Sequence, residues 1–498
     1  MEILWGDLHN HCGISYGFGS LENALTRARE QLDFCAVTGH ANWHDMPEGA
    51  KGFEFIEEFH RVGFAKLARA WDDVREAVEA ANRPGEFITF QSYEAHSRTH
   101  GDHHVLSPSA DLPLLESDSP RGLIEAVSPV PAIAVPHHVG YVPGYRGVNW
   151  DTYDASVSPV VEVFSKHGCG MSDQAPYPYL HTMGPRDSRT TVRAGMDRGH
   201  RFGFVASTDH HAGYPGSYGD GRVAVLAAEK TRDAIWEALL ARRVYAVTGD
   251  KIACRFTVNG VPMGGTCQSN GGRKVRLSVQ GCDALDRIVI YRNSRPWQVV
   301  AGESLQPARA ASGRCKVRVE LGWGPGDEAF RWEAAARVSG GEIVGVEPCF
   351  RGRNVLAPTK DGGGDDSVND LQNRILEETG TDVAWCCETF KNPTTQHPAT
   401  AAVILEIDGD RATELSVTCN GETVAASLGA LARGSRGTHL KEYNSHAFLL
   451  HRAIPEEGYT FEGEWEDGQT GHTRDTYDAE VRQVNGQCAW ISPVVLAS

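Results

Sequence analysis

Six apolar runs in the first 211 residues each give way, on their C-terminal side, to histidine or an acidic residue. Ile3-Leu4-Trp5 leads to His9 and His11, and Leu32-Asp-Phe-Cys-Ala-Val-Thr38 leads to His40. Phe87-Ile-Thr-Phe90 runs into Tyr93-Glu94, and Pro131-Ala-Ile-Ala-Val135 into His137-His138. Val160-Val-Glu-Val-Phe164 precedes Ser165-Lys166-His167, and Phe202-Gly-Phe-Val-Ala-Ser207 precedes Asp209-His210-His211. Side chains two apart on a strand share a face, so His9 and His11 reach one point beyond the first strand. Helical signals lie between the runs. Ser20 caps a helix whose inner stripe is Ala24, Leu25 and Ala28. A long amphipathic helix is expected over 53–81, stopped by Arg83-Pro-Gly85, and others from Pro120 and over 232–243. Alternating strands and helices predict an α/β domain with a mostly parallel sheet. In a parallel barrel the C-terminal strand ends share one face, where active sites are built.

A chain of 498 residues exceeds one ordinary core. From about Asp250 the pattern changes to short alternating segments, 255–258, 275–279 and 287–291, separated by Asn-Gly or Gly-Gly turns. That predicts an antiparallel sandwich. A further β-rich stretch starts at Phe330, and Lys360-Asp-Gly-Gly-Gly-Asp-Asp366 reads as a flexible polar loop. Acidic residues (65) exceed Lys plus Arg (48), which disfavours nucleic acid as a partner. No apolar run approaches the roughly 18 residues of a membrane span, and no leader-like segment precedes the first motif. A cytoplasmic protein with no membrane partner is expected. The twelve cysteines contain no CxxC pair and read as reduced thiols.

Taken singly, each motif has an ordinary explanation: a hydrogen-bonded core histidine, a salt-bridged Glu94, a helix cap at His137-His138, turn chemistry at Asp209. Together they place many imidazoles and carboxylates at the ends of nearly charge-free strands. Burying them without a cation is costly, so a metal site is expected.

The order of these motifs resembles the PHP family, named for domains of bacterial polymerases and histidinol phosphatases. The quoted signature is HxH at His9 and His11, TxH at His40, Glu94, His104-Val-Leu106, Pro136-His137 and the final Asp209-x-His211. The resemblance covers roughly residues 3–250. It implies a distorted (β/α)7 barrel holding two or three divalent ions, commonly Zn, Mn or Fe, in a metal-dependent hydrolase, most often a phosphoesterase. Carried over by position, His9, His11, Glu94 and Asp209 hold a first ion. Glu94 bridges to a second, completed by His104 and His137, and His40 and His211 hold a third. His103 and His138 are the alternatives within their pairs. Two departures touch the third ion: Ser15-Tyr16-Gly17 and Thr38-Gly39-His40 each lack an acidic or histidine residue usual in the family, leaving His44 or Tyr16 as substitutes. The Asn259-to-Gly265 and Ala489-to-Pro493 segments are similar to the two parts of a β-sandwich appended to larger members. The expected domains are therefore 1–250, a sandwich of 251–335 plus 480–498, and an inserted β-rich unit, 336–479, with a structural, dimerising or substrate-binding role.

Two ions sharing a carboxylate also share a water, whose ionisation near neutral pH supplies a hydroxide nucleophile. A phosphate substrate needs cationic clamps, for which Arg146, Lys166, Arg186 and Arg222 are candidates. His138, His167 or His210 would protonate the leaving group. Glu162, His167 and Cys169 face the same mouth. Tyr141, Tyr145, Trp150, Tyr153, Tyr177, Tyr179, Tyr214 and Tyr218 cluster after the later strands and are expected to line it. The expected partner is thus a small molecule, anionic or sugar-like, and a homo-oligomer is compatible with the β half. A hydrolase or lyase acting on a carbohydrate-like or amide substrate is the alternative, and a non-catalytic glycan binder a third reading.

Overall fold

The computed structural model describes residues 1–179, 184–268, 271–305, 312–324, 329–353, 373–390, 400–469 and 474–497; the loop expected at 360–366 lies outside them. It is a mixed α/β, sheet-rich molecule. Strand β1 (Glu2–Asp7) pairs in parallel with β2 (Phe34–Ala36), which pairs in parallel with β4 (Ile88–His96). The short β3 (Gly39–Trp43) runs parallel to the second half of β4. Next come β5 (His103–Ser107) and β6 (Ile133–Pro136), and a separate small sheet holds β7 (Val160–Ser165), β8 (Gly168–Cys169) and β9 (Gly203–Ala206). On the other side of β1 lie β10 (Arg222–Ala227) and β11 (Val244–Val247).

The sheet is mixed rather than mostly parallel. Residues 97–102 are too few for a crossover, so β5 runs antiparallel to β4, and β6 antiparallel to β5. Both β10 pairings are antiparallel as well. Leu4, Phe34, Phe90, Val135, Val160 and Val205, from six strands in two sheets, nevertheless form one buried cluster. Hydrogen bonding does not run continuously around it, because β6 and β7 belong to different sheets.

Helices cover the outside. Helix α1 (Leu21–Arg29) starts where the Ser20 hydroxyl accepts from the Asn23 amide, and buries Ala24, Leu25 and Ala28. Helix α2 (Glu54–Ala81) buries Phe59, Gly63, Leu67, Trp71, Val74 and Val78, a stripe at helical spacing that packs on β3 and β4. Each large apolar side chain so buried is worth about 1.5–3 kcal/mol. The helix ends ahead of Arg83-Pro84-Gly85. Helix α3 is Pro120–Val127, α4 Val192–Asp197 and α5 Arg232–Leu240. Among the described residues no helix is long and apolar enough to cross a membrane.

The β half forms two sandwiches, divided at other points than expected. Strands Ala253–Val258, Arg273–Gln280 and Thr460–Asp467 form one sheet. It shares a core, including Phe256, Leu277, Ile288, Tyr477 and Ile491, with strands Leu285–Arg292, Arg474–Gln483 and Cys488–Ala497. The last of these pairs with β11, so the N-terminal sheet runs on into this sandwich. Strand Ser312–Gly322, expected in the first sandwich, pairs with Ala401–Asp410 and belongs to the second. Conversely, 460–467 and 474–479, expected in the insert, belong to the first. The core of the second includes Val317, Trp332, Trp385, Leu405 and Val417, and also Tyr214 from the N-terminal half.

Candidate metal centre

Local chain geometry brings the site together. The buried Asp7 carboxylate at the end of β1 accepts from the Thr208 amide (3.1 Å), the Thr208 hydroxyl (2.6 Å) and the Gly216 amide (2.8 Å). Beyond it the His11 amide donates to the His210 carbonyl (2.8 Å) and the Asp209 amide to the His9 carbonyl (2.7 Å). The His9-x-His11 segment and the Asp209-x-His211 segment are thereby zipped together. Strand β4 continues well past Phe90, so Glu94 lies within a strand. Antiparallel β5 brings His104 directly opposite Glu94 and its other neighbour Val135. The early end of β5 therefore faces the late ends of its neighbours.

Four donor atoms converge. His11 Nε2 lies 3.2 Å from His9 Nε2, 3.0 Å from Asp209 Oδ1 and 3.3 Å from Glu94 Oε2. His9 Nε2 lies 3.5 Å from each of those oxygens. Metal–nitrogen and metal–oxygen bonds of 2.0–2.1 Å in a tetrahedron place neighbouring donors about 3.3–3.4 Å apart. The set fits a divalent cation. Glu94 Oε2 also sits 2.9 Å from His40 Nδ1, yet it has no aligned hydrogen bond. Among the described residues, both nitrogens of buried His104 lack a partner too. Polar atoms are rarely buried this way unless an ion or water satisfies them.

Around this set, His137 Nε2 lies 3.0 Å from Glu94 Oε1, and His9, His104 and His137 bring ligand atoms within 4.8 Å of one another. His11, His40 and His211 form a second such trio, with His40 Nε2 3.3 Å from His211 Nε2. Of the pair 103/104, His103 instead pairs with the Gly101 carbonyl (2.7 Å). Both members of the other pair stay near the centre: His138 Nε2 is 3.8 Å from Asp209 Oδ2. His138 and Asp209 both have positive φ, 53° and 50°. Such backbone costs about 1–3 kcal/mol per residue and persists where surroundings enforce it.

The electrostatics of most donors suit cation binding. His9 is the exception: burial lowers its pKa, but Asp209 and Glu162 outweigh this and hold it well above the ordinary value, so an ion has to displace that proton. Burial pushes the Glu94 and Asp209 carboxyls up. The facing imidazoles, led by His40 for Glu94 and by His9 for Asp209, overcome this and hold both well below the usual carboxylate range. Burial lowers His11, His40, His104, His138 and His211, which keeps them neutral with a lone pair to offer. Glu162 Oε2 lies 3.0 Å from His9 Nδ1, an arrangement that turns His9 Nε2 toward the other donors.

The remaining candidates divide. His167 Nε2 lies 2.9 Å from Asp209 Oδ2, and both His138 and His167 line a small cavity with Glu162, Ser165 and Tyr179. Lys166 is buried, and burial lowers its pKa against the nearby Asp220 and Asp209 charges. Arg146 donates to Asp102 Oδ2 (2.7 Å) and stacks over Trp43, so its charge is already matched. His210 points the other way: its Nδ1 accepts from the Ala212 amide (3.2 Å) and its ring abuts Gly352 of the second sandwich. That removes it as a group acting at the centre, because neighbours of Asp209 and His211 project oppositely. Arg186 donates to the Ser172 and Ala175 carbonyls, and Arg222 to the Gly216 carbonyl and Gln31. Both are structural rather than substrate clamps. Burial pushes the Cys169 thiol up to about 12, so it offers no thiolate.

The aromatic mouth is largely absent. Trp150 packs in a core cluster with Phe202, Tyr141 stacks on Tyr179, and Tyr214 and Tyr218 are buried against the second sandwich. Of the eight, Tyr145 alone is exposed, at 45%. Near the expected third ion, the Tyr16 ring stacks on His40 (3.6 Å between centroids) and its hydroxyl reaches His60 Nε2 (3.1 Å) and His96 Nε2 (3.3 Å). His44 instead faces Asp45. The overlooked residue is His96. Its Nδ1 lies 3.2 Å from Asp102 Oδ2, and it groups with His40 and Glu94. Glu94-x-His96 repeats the spacing of His9-x-His11, and that alternation was the available signal.

Residues 217–261 match a family model described as a protein of unknown function, DUF3604. A Chlamydia muridarum protein described as uncharacterized is 30% identical over 314 residues, 59% of this chain and 48% of that protein. An uncharacterized Chlamydia pneumoniae protein is 24% identical over 316 residues, 59% of this chain and 48% of its own length. The chain spans about half the length of these curated relatives. A solved two-domain protein from Bacteroides vulgatus, described as containing a predicted PHP-like metal-dependent phosphoesterase, is 15% identical, with a TM-score of 0.35. The match covers 58% of this chain and 79% of that one. Buried His, Asp and Glu clusters could hold metal ions in this chain.

Proposed function

We propose that the protein is a PHP-type, divalent-metal-dependent hydrolase, a phosphoesterase acting on a small organic phosphate, with its site at one end of a distorted barrel. The observation that carries this reading is the convergence of His9 Nε2, His11 Nε2, Glu94 Oε2 and Asp209 Oδ1, with the two imidazole nitrogens 3.2 Å apart and each 3.0–3.5 Å from both oxygens. In this reading those four would hold one ion, Glu94 with His104 and His137 a second, and His40 with His211 a third. The nitrogen and oxygen donors suit Zn, Mn or Fe. When bound there, divalent ions would supply Lewis-acid chemistry: a water of lowered pKa, a polarised phosphorus and compensation of developing charge.

The chain's own groups do the rest. Glu162 holds the His9 ring so that Nε2 faces inward. His167, beside Asp209 Oδ2 and in the small cavity, carries the proton to the leaving oxygen. Lys166, buried and next in sequence to His167, is proposed to face the negative charge of the substrate. The burial of every ligand excludes bulk water, so each of these electrostatic contacts acts at low dielectric.

Protein purified without chelator is expected to carry at least two divalent ions per chain by elemental analysis. It should release inorganic phosphate from members of a phosphate-ester panel with added Mn or Zn. Metal-free protein whose turnover is indifferent to added ions would end this reading. His167→Asn is expected to keep its ions but lose about 10²–10⁴-fold in kcat. An unchanged kcat removes His167 from the chemistry.

A further inference from the structure

We propose that Tyr214 is a positioning residue for the metal centre, through which the second sandwich holds the ligand-bearing loop in place. The inference rests on the metal reading above and extends it to a domain that contributes none of the proposed ligands.

The loop between β9 and β10 carries Asp209 and His211, and five residues after Asp209 it delivers Tyr214. On its barrel side the loop is tied to the HxH segment: Asp209 to His9, His210 to His11, and the Gly213 amide to the His11 carbonyl (2.9 Å). On its other side it leaves the N-terminal half altogether. Tyr214 is buried as part of the core cluster of the second sandwich, which also holds Trp332 and Phe350, and its hydroxyl accepts from Asn373 Nδ2 (2.9 Å). Two backbone contacts extend the attachment. The Gly352 amide donates to the Ser217 hydroxyl (3.2 Å), and the Tyr218 amide to the Phe350 carbonyl (2.9 Å).

The fit leaves no slack. A Cβ at Gly352 would lie 2.4 Å from the Tyr214 Cβ and 2.8 Å from His210 Cε1, so the insert backbone is pressed directly onto the loop. Asp209 meanwhile holds a left-handed φ of 50°, a conformation that relaxes unless its surroundings enforce it. A loop anchored at both ends of a strained ligand keeps that ligand oriented before any ion arrives. Groups that hydrogen-bond directly to a ligand typically govern metal affinity by about 10–100-fold, and an anchor that fixes the ligand's own loop is expected to act on the same scale.

The test uses the full chain, stripped of metal, with Co²⁺ alone as the probe. Its visible absorption reports ligand geometry, and competition with a chelating indicator reports affinity. Tyr214→Leu and, independently, the wedge Gly352→Val are expected to weaken Co²⁺ by about 10–100-fold and to shift its absorption band. Tyr214→Phe keeps the ring in its slot and should restore affinity to within a few-fold of wild type. Val417→Ala serves as the control: it thins the same core away from the loop, and should lower the unfolding temperature without moving Co²⁺ affinity. Wild-type affinity in Tyr214→Leu, or in Gly352→Val should Tyr214→Leu fail to fold, overturns the proposal. So does an equal loss in Val417→Ala, which would make affinity follow general stability. Those results leave the metal reading standing, whereas a wild-type chain that takes up no Co²⁺ overturns both.

Discussion

Glu94→Ala is expected to empty the centre and abolish turnover in a single step. Glu94 offers Oε2 to the His9, His11 and Asp209 group and Oε1 to His137, so one truncation removes a donor from both proposed ions. Outer-shell changes already cost 10–100-fold in metal affinity, and loss of a shared carboxylate should exceed about 100-fold. Elemental analysis should fall to near zero, with no phosphate release above background. Stability gives a second measure. An ion at 100 times its Kd stabilises the native state by about 2.7 kcal/mol, so chelator should lower the wild-type Tm and leave the Glu94→Ala Tm unmoved. Retention of two ions by Glu94→Ala would overturn the role of Glu94 as a carboxylate shared by both ions.

Asp250→Ala should produce the largest loss of stability. This buried carboxylate joins all three units. Oδ1 accepts from the Tyr218 hydroxyl (2.7 Å) and from Arg318 of the second sandwich (2.8 Å). Oδ2 accepts from Gln483 (2.6 Å) and Asn485 (2.7 Å) of the first. Arg318 is only 8% exposed, so removing its partner strands a buried guanidinium, at a cost of about 3–5 kcal/mol. Burial raises the Asp250 pKa, but Arg318, Asn485, Tyr218 and Gln483 outweigh it and hold the carboxyl below its ordinary value. A carboxyl depressed in the folded state contributes stability above its unfolded pKa of about 3.9 and loses it as pH falls through the folded value. The difference between wild type and variant in urea unfolding should therefore be full at pH 7 and shrink below about pH 4. Equal stability at pH 7 would mean that Arg318 finds water or another acceptor.

The positions of the candidate ligands along the chain were legible because they follow from local rules. Alternation along a strand puts His9 and His11 on one face, and the same rule applied to Glu94 would have found His96. Helix α2 was legible end to end from its stripe and the Pro-Gly that stops it. The direction of β5 was not foreseen, although the shortness of 97–102 implied it. The domain limits were misplaced because alternating segments look alike whichever sheet they join. Strand 312–322 could be assigned to the second sandwich only through its pairing with 401–410.

Side-chain roles in loops were the least legible. Arg186, Arg222 and Arg146 read as free cations from the sequence, but each is matched to carbonyls, amides or a carboxylate in the folded chain. Tyr214 and Tyr218 read as a substrate-facing surface, and they are buried against the second sandwich instead. The sequence by itself determined which residues offer lone pairs and at which strand ends, since strand periodicity and apolar runs are properties of near neighbours. Only the tertiary structure decided which of those donors meet, which cations are already paired and which aromatics are anchors. Each of those outcomes depends on contacts between segments up to nearly two hundred residues apart, as between His11 and Asp209, whose geometry no local pattern encodes.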